Sequence, residues 1–502
     1  MYKYLFLFLL SLSLLGAKTI NTFYISQIVL IDENQKNIKV NEDTKKIISL
    51  YTKKKNSLQD IKNLTKKLEQ EYKKKGFNFT KIIIPAQSIK NGILYLKVFK
   101  PKVGKITIKG NKYYSKKFIA SHFSQKEGKY LKYNGMLESV LLLNDFSDLS
   151  AKLLLKKSKT TNATDITIKV KDEKPFHAYF SYDNLGSKST SKNRASLNIL
   201  YGNLLTDGDN LQLYTIKSFS PTNTNLYFPS YAIPITNTKA KLKIGYLYAD
   251  YIAGGSFADL GIKGNTKIYS TSILYTIFKN FTNSALMSID YNYKKIDNFV
   301  MSTTASKEIW DMYSLSFIYN HSSIYSNNLI NIKLTSGSLR NNPIKGRQNE
   351  DTYFTKVNFA LSRNQFLNEK TNVIFNFNTQ YTNKRVPVVD MFSLGGFGSV
   401  GGFEPSFIMG DSGYRVALEL NRKVKNYLDL GIFTDYGITY TNHPVVGEYS
   451  SSYLFSWGIN AKIHLKKRYA LDIAIAKPTC VSDGISFNHK FYLYAILNIK
   501  LW

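Results

Sequence analysis

The chain has 502 residues, which is long enough for two or three domains. Its single cysteine, Cys480, excludes an intramolecular disulfide bond and any metal site built from several cysteines. The net charge of +33 fits a nucleic-acid partner, but lysine is accompanied by abundant Asn, Ile and Tyr, so biased codon usage is a competing explanation. No basic, aromatic-rich nucleic-acid module stands out, and we expect no nucleic acid to bind.

Residues 1–17 have the pattern of a secretory signal peptide, which predicts export. Lys3 supplies the positive end, residues 4–15 form a short apolar core, and Gly16-Ala17 offers a small-residue cleavage site. The core is too short for a transmembrane helix, and no later apolar run reaches that length. Lys18 stands where a lipid anchor needs a cysteine, so we expect no lipid anchor. A membrane-embedded mature chain would therefore be a β-barrel.

Residues 18–100 are predicted to form a small α+β domain. Residues 23–32 are strand-like, and Ser57 is placed to cap a helix that Gly76 ends. The apolar positions of that helix keep helical spacing. Two β-rich segments complete the domain, residues 77–84 and residues 93–99.

The same order of elements repeats over residues 101–174, which predicts a second α+β domain. Residues 103–109 are strand-like, Ser115 can cap a short helix, and a second helix and two strands follow. Two such units in tandem suggest a binding arm, because an exposed sheet edge can accept an extended strand from a partner.

From about residue 175 to residue 502 the helical spacing disappears and period-two alternation replaces it. Residues 455–465 alternate between apolar and polar side chains, and residues 491–501 place an apolar row on one face. These strands run about ten residues and are rich in Tyr and Phe, as a membrane-spanning barrel requires. At about twenty residues for each strand with its connection, the length predicts about sixteen antiparallel strands.

A glycine-rich stretch, residues 394–403, interrupts the alternation and is followed by Gly410-Asp-Ser-Gly-Tyr414. Residues 396–401 match the phosphate-binding pattern G-x-G-x-x-G, but strand-like sequence follows where that pattern needs a helix. Residues 410–413 are similar to the segment around a nucleophilic serine, but no His or Asp supports Ser412 in a recognisable context. We interpret the stretch as a loop that packs tightly against another segment.

Five groups of short motifs occur in order along nearly the whole chain. They are Ile84-Pro-Ala-Gln87 with residues 92–98, Val103 to Asn111, Tyr182-Asp-Asn-Leu-Gly186 with Gly208-Asp209, Leu394 to Tyr414, and Phe433-Thr-Asp-Tyr-Gly437. In this combination the chain resembles outer-membrane transporters of two-partner secretion, the haemolysin secretion/activation family. The resemblance implies two periplasmic POTRA domains (18–100 and 101–174), a transmembrane barrel (175–502), and an extracellular loop, residues 383–413, folded into the barrel lumen.

The resemblance also implies which residues dock this loop in the lumen. They are Val400, Gly402, Phe403, Asp411, Asp435 and Gly437. Relatives usually carry an arginine at the loop tip that pairs with the aspartate of the strand motif, and Gly401 occupies that position here. We therefore expect Asp435 to pair with Arg385 or Arg415, or the loop to be held differently. Relatives often carry a plug helix before the first domain, for which residues 18–22 leave no room.

The function implied by the resemblance is protein transport, with no enzymatic activity, no cofactor and no metal. The POTRA domains are expected to recognise an exported β-helical partner that is adhesin-like or haemolysin-like. The barrel would conduct this partner to the cell surface without nucleotide hydrolysis. We expect a monomer in contact with outer-membrane lipid.

Three other functions are open at this point. A barrel-assembly or translocation factor of the same superfamily usually carries more POTRA domains than two. A passive porin does not explain the pair of POTRA-like domains. An outer-membrane enzyme has little support, because the histidines are scattered without metal-type or triad spacing. The six histidines are His122, His177, His321, His443, His464 and His489.

Overall fold

The computed structural model describes residues 21–159, 162–219, 224–340, 343–466, 468–482, 485–487 and 490–502. The predicted signal peptide, residues 1–17, lies outside the described residues, as do Lys18 and His489. Among the described residues, no helix is both long and apolar enough to cross a membrane. The chain forms two compact units, and the boundary between them runs through the second α+β domain.

The first α+β domain is built on a three-stranded sheet. Its elements are β1 (Thr22–Ile25), β2 (Gln27–Ile31), α1 (Glu42–Ser49), β3 (Lys54–Ser57), α2 (Leu58–Lys74), β4 (Lys81–Ile83) and β5 (Ile93–Phe99). Strand β5 lies between β2, to which it is parallel, and β4, to which it is antiparallel, while β1 pairs with β3. Helix α2 contributes Ile61, Leu64 and Leu68 to the core of this domain, and all three are fully buried.

Helix α2 begins where the sequence predicts. The Ser57 hydroxyl accepts a hydrogen bond from the Asp60 N–H at 3.2 Å, and the Asp60 carboxylate accepts one from the Ser57 N–H at 2.8 Å. This reciprocal capping box satisfies two backbone donors at the helix start. The segment after the helix is less regular than predicted, since within residues 77–84 the strand β4 covers residues 81–83 alone. The Phe77 N–H still bonds the Tyr72 carbonyl of the helix and so cannot take part in a sheet.

The second α+β domain repeats the order predicted for it. Its elements are β6 (Lys102–Lys109), α3 (Lys116–Ser121), α4 (Tyr133–Leu143), β7 (Leu149–Lys157) and β8 (Ala163–Asp172). Strand β8 lies between β7 and β6 and runs parallel to β6. The Ser115 hydroxyl accepts a hydrogen bond from the Phe118 N–H at 3.1 Å, which confirms the predicted start of α3.

Helix α3 belongs to the same compact unit as the barrel and packs against a turn, residues 203–209. Gly208 has a φ of +82°, and a Cβ atom there would lie 2.4 Å from the Phe118 ring, so both conformation and space require glycine. The Asp209 carboxylate accepts hydrogen bonds from the N–H groups of residues 204–206. The Gly208-Asp209 motif thus fixes a turn that contacts a helix.

The rest of the chain forms a closed barrel of sixteen strands, as the sequence predicts. Every registered neighbour pair is antiparallel, and β26 pairs with β9 to close the wall. The chain order is β9 (Phe176–Asp183), β10 (Arg194–Gly202), β11 (Asn210–Ser218), β12 (Thr224–Pro234), β13 (Ala240–Ile252), β14 (Lys263–Lys279), β15 (Asn283–Val300), β16 (Thr303–Ser322), β17 (Ser326–Leu339), β18 (Tyr353–Asn368), β19 (Thr371–Tyr381), β20 (Phe392–Leu394), β21 (Ile408–Gly410), β22 (Ser412–Lys425), β23 (Leu428–Tyr440), β24 (Ser451–Leu465), β25 (Tyr469–Val481) and β26 (Tyr492–Lys500). Strands β20 and β21 form a separate hairpin and are not part of the wall.

The two faces of the barrel wall differ in chemistry. On β23, Leu430 and Ile432 are exposed on the outer face, whereas Asp435 is buried on the inner face. We call the end at which β9 begins and β26 ends the turn end, because short turns join the strands there. The other end, the loop end, carries the longer connections, including residues 340–352, 382–411 and 441–450.

Replacing Ser57 with Ala should destabilise the start of helix α2 by about 1 kcal/mol, because the capping hydroxyl is lost. Hydrogen exchange followed by mass spectrometry on the full chain should then show faster exchange at Asp60 and its neighbours. The matched control is Ser49→Ala, which removes an exposed hydroxyl at the end of α1 and should leave exchange in α2 unchanged. Unaltered exchange in the Ser57 variant would contradict the role of the capping box.

Candidate functional site

The connection between β19 and β22, residues 382–411, lies inside the barrel, and we call it the lumen loop. Asp390 in this loop bonds Lys294 of β15, with 2.8 Å between Oδ2 and Nζ. The Gly402 N–H, further along the loop, donates to the Tyr494 hydroxyl of β26 at 2.9 Å. Strands β15 and β26 lie nearly opposite each other in the barrel order, so a segment that contacts both must cross the lumen.

The tip of the lumen loop is held by apolar packing and by two backbone donors. Val400 and Phe403 are fully buried in one cluster with Leu454 of β24. The Gly401 N–H donates to the Asp435 carboxylate at 3.3 Å, a long hydrogen bond, and the Gly402 N–H bonds Tyr494 as described above. The groups that the loop itself contributes to these contacts are electrically neutral.

Glycines allow the tip to approach the wall closely. Gly402 has a φ of +82°, and a Cβ atom there would lie 2.8 Å from the Pro478 nitrogen of β25. A Cβ atom on Gly437 of β23 would lie 2.6 Å from a methyl group of Leu394, which is itself buried. The absence of a side chain on Gly402 of the loop and on Gly437 of the wall therefore allows the two surfaces to come into contact.

Asp435 is paired with a cation from the wall. The Arg415 guanidinium of β22 donates to the Asp435 carboxylate at 2.7 Å, and both side chains are largely buried. Of the two arginines expected from the sequence, Arg415 is thus the partner of Asp435. Arg385 instead binds Glu448, with distances of 2.8 and 2.9 Å. The lumen loop supplies no charge to Asp435, in keeping with glycine at position 401.

The base of the lumen loop is held by a second group of charged residues, Arg347, Arg385, Asp411 and Glu448, which we call the stem cluster. Asp411 is fully buried and accepts two hydrogen bonds from the Arg347 guanidinium, at 2.6 and 3.2 Å. It also accepts the N–H groups of Val386 and Asn442. The hydrogen bonds from Arg385 hold the pKa of Glu448 down to about 2. The stem cluster therefore joins three loop-end connections.

The structure brings five of the six residues implied by the family resemblance to one place. Val400, Gly402, Phe403, Asp435 and Gly437 all lie at the contact between the loop tip and strands β23 to β26. Asp411 contacts none of the other five and belongs to the stem cluster.

Several residues of the site were missed by sequence reasoning. Lys294 and Lys356 of the wall both bond Asp390 of the lumen loop, at 2.8 and 3.3 Å. Tyr494 was assigned no role, and Arg347 and Glu448 lie in connections without any periodic pattern. The sequence offered one signal for these residues: a lysine on the predicted inward face of a strand, as at Lys294, needs a partner inside the barrel.

A buried pair of acidic residues lies beside the stem cluster. Glu350 is 2% exposed, and neither of its carboxylate oxygens has a hydrogen-bond donor among the described residues. Burial, and then the neighbouring Glu308, raise the pKa of Glu350 to about 8. The Glu308 carboxylate in turn accepts the Gly346 N–H at 2.7 Å and the indole N–H of Trp310 at 2.9 Å. Glu350 is therefore protonated at neutral pH.

The candidate metal ligands remain scattered in the part of the chain that the structure describes. No group of three or more His, Cys, Asp or Glu residues in it is arranged to hold a metal ion. The Nε2 atom of His464 lies 3.5 Å from the Asp429 carboxylate of the neighbouring strand.

Gly402→Ala should displace the tip of the lumen loop, because the new methyl group meets the backbone of Pro478 and a positive φ is unfavourable for alanine. The protection of the Gly401 and Gly402 amides against hydrogen exchange should then fall. Gly398→Ala is the matched control, since Gly398 has a φ of +77° but no atom within 4 Å of the Cβ position. Equal loss of protection in both variants would show that backbone strain alone, and not the close approach, accounts for the effect.

Glu350→Gln should raise thermal stability at neutral and alkaline pH. The folded chain raises the pKa of Glu350 from 4.5 to about 8, so it binds a proton that the unfolded chain releases. The contribution of Glu350 to the free energy of unfolding is fully present below pH 4.5, declines as the pH rises and is lost above about pH 8. Glutamine cannot ionise, so the variant should lose less stability over this window, as measured by thermal melts in detergent at several pH values. Parallel pH profiles of the two proteins would contradict this assignment.

Two family models match the chain. The model described as haemolysin secretion/activation protein ShlB/FhaC/HecB matches residues 162–463, and the model of the ShlB-type POTRA domain matches residues 23–100. Among curated proteins, the heme/hemopexin transporter protein HuxB of Haemophilus influenzae is 25% identical over 496 residues, covering 94% of this chain and 87% of HuxB. The outer membrane transporter CdiB of Dickeya dadantii is 20% identical over 390 residues, covering 74% of this chain and 68% of CdiB.

Solved structures share the fold. CdiB from Escherichia coli superposes with a TM-score of 0.83 at 16% identity, covering 97% of this chain and 92% of that one. CdiB from Acinetobacter baumannii gives a TM-score of 0.76 at 17% identity, covering 95% of this chain and 90% of that one. At these identities the likeness establishes the fold alone.

The family model covers more than half of the chain, and the POTRA model covers most of the first α+β domain. The barrel and its two preceding α+β domains have the architecture that these models describe. The chain therefore belongs to the haemolysin secretion/activation protein ShlB/FhaC/HecB family, the outer-membrane transporters of two-partner secretion, with POTRA domains in the periplasm.

Proposed function

We propose that this transporter secretes an exported β-helical protein, adhesin-like or haemolysin-like, and that the lumen loop gates its passage. The POTRA domains, with proposed limits of 18–100 and 101–174, receive the partner in the periplasm. The barrel, from residue 175 to residue 502, conducts it as a monomer embedded in outer-membrane lipid. Membership of the family favours two-partner secretion over barrel assembly, and the relatives named above are transporters.

The observation that carries this proposal is the position of the lumen loop. The loop contacts β15 and β18 on one side of the lumen and β23, β25 and β26 on the other. A polypeptide cannot pass through a lumen that is filled in this way. Transport therefore requires the loop to leave at least part of the space between these walls.

The tip and the base of the lumen loop are held by forces of different strength. The Gly402–Tyr494 hydrogen bond of the tip joins neutral groups and contributes about 0.5–1.5 kcal/mol. The Gly401 hydrogen bond to the Asp435 carboxylate is long and contributes at most about 1.5–3 kcal/mol. Breaking a buried ion pair by removing one partner costs about 3–5 kcal/mol, and the base contains such a pair in Arg347 and Asp411. We infer that the tip is released first while the stem cluster keeps the base attached.

The residues implied by the sequence take separate roles in this mechanism. Val400, Gly402, Phe403, Asp435 and Gly437 form the docking surface of the tip, and Asp411 is the anchor of the base. Below the tip, toward the turn end, lies a cavity of about 320 Å³ whose lining includes Arg415, Glu419, Lys462 and Asp472. This charged cavity is where a segment of the partner would first meet the loop.

A disulfide that locks the tip to the wall tests the gating role. The Cβ position of Gly401 lies 3.0 Å from the Cβ atom of Ala476 on β25, shorter than the separation of about 3.5–4.5 Å found in disulfides, so the tip needs to shift by about half an ångström for the bond to form. The Gly401→Cys/Ala476→Cys variant is made with Cys480→Ser, so that no other thiol is present. When oxidised, it should reduce secretion of the partner protein to the level of cells without the transporter, and a reductant should restore it.

The controls are the two single-cysteine variants in the same Cys480→Ser background, which cannot form the bond and should secrete normally. Formation of the bond is verified by mobility on a non-reducing gel. Undiminished secretion by a fully cross-linked protein would contradict the requirement for tip release. The partner's fold is examined separately, by circular dichroism of the secreted protein, for which a helical spectrum would contradict a β-helix.

A further inference from the structure

A row of tyrosines marks one level on the outer face of the barrel. The strand register places Tyr246, Tyr269 and Tyr293 side by side on β13, β14 and β15. Their ring centroids are 4.9 and 6.0 Å apart. On the same face, toward the turn end, Ile273 and Ile289 are about half exposed. Since aromatic girdles flank the apolar band of a membrane barrel, this row marks the loop-end edge of the hydrocarbon layer.

On β14 and β15 the next outward-facing residues beyond this tyrosine row are Lys267 and Lys295, which lie directly opposite each other. On β13 the next is Tyr248, which lies opposite Lys267. Like charges at opposite positions of an antiparallel pair repel each other. In the described part of the chain, no carboxylate lies within 4 Å of the Lys267 ammonium group, which sits 5.9 Å from the centre of the Tyr248 ring. The Lys295 ammonium group is 3.7 Å from the Asp297 carboxylate, a long separation for an ion pair.

Of the other charges near this pair, Arg340 and Asp311 are matched with each other, whereas Asp250 faces an uncharged residue. Arg340 lies over the Tyr293 ring and binds Asp311 through two hydrogen bonds, at 2.7 and 2.9 Å. Farther toward the loop end, Asp297 faces Lys307 and Asp250 faces Asn265. The two lysines therefore carry a positive charge that the protein neutralises only in part.

We propose that Lys267 and Lys295 bind a phosphate group of a lipid in the outer leaflet of the membrane. The position favours a lipid headgroup, because the lysines lie immediately above the tyrosine row that marks the edge of the hydrocarbon layer. A phosphate between the two ammonium groups removes their repulsion and accepts hydrogen bonds from both. The acyl chains then run along the apolar surface that includes Ile273 and Ile289.

The test uses the full-length protein in detergent, titrated with diphosphoryl lipid A and followed by native mass spectrometry. The Lys267→Gln/Lys295→Gln variant should bind this lipid about tenfold to thirtyfold more weakly than the unmodified protein. The Lys267→Arg/Lys295→Arg variant keeps both charges and should retain binding. Lys217→Gln is the matched control. Lys217 also lies on the outer face of the barrel, on β11, but it is opposite two uncharged residues, Ala195 and Asn225.

Two comparisons distinguish the source of the phosphate. Dephosphorylated lipid A should bind weakly to every variant, and an equal concentration of inorganic phosphate should not displace diphosphoryl lipid A. The inference is overturned if the double glutamine variant binds as tightly as the unmodified protein, or if Lys217→Gln is equally weakened. Displacement by inorganic phosphate would overturn the assignment to a lipid. A difference in gel mobility between unheated and heated samples confirms that each variant has a folded barrel.

Discussion

The pairing of β26 with β9 is the interaction on which the rest of this structure depends. In a lipid environment every backbone N–H and C=O group needs a partner within the protein, so the sheet must close on itself. Closure separates an outer face of Leu, Ile and Tyr from an inner face that contains Lys, Arg, Asp and Asn. It also creates an interior space that a soluble sheet would not have, and the lumen loop occupies it.

The buried charges of the interior are distributed between the wall and the loop. Asp435 is paired within the wall with Arg415, whereas Lys294 and Lys356 of the wall share one carboxylate, that of Asp390 in the loop. Charged groups removed from water need partners at close range. The lumen loop is therefore both a physical obstruction and a counter-ion for two lysines of the wall.

Much of this architecture is readable from the sequence because it rests on local patterns. Period-two alternation identifies strands, Ser57 and Ser115 mark helix starts, and the glycine-rich stretch marks a close approach. Arg415 was one of two candidates for Asp435, and the structure places it on the inward row of its strand. The stem cluster was not readable: Arg347 and Glu448 are 101 residues apart in connections that have no periodicity. The protonated state of Glu350 depends on burial, which a single loop sequence does not reveal.

The division of charges has an electrical consequence for the unobstructed channel. If the part of the lumen loop from Asp390 through the hairpin leaves the lumen, the bond between Arg415 and Asp435 stays in the wall and adds no net charge. Lys294 and Lys356 lose Asp390 and are left as two unbalanced cations facing water. We therefore expect these two lysines to favour the passage of anions and of acidic stretches of polypeptide over basic ones.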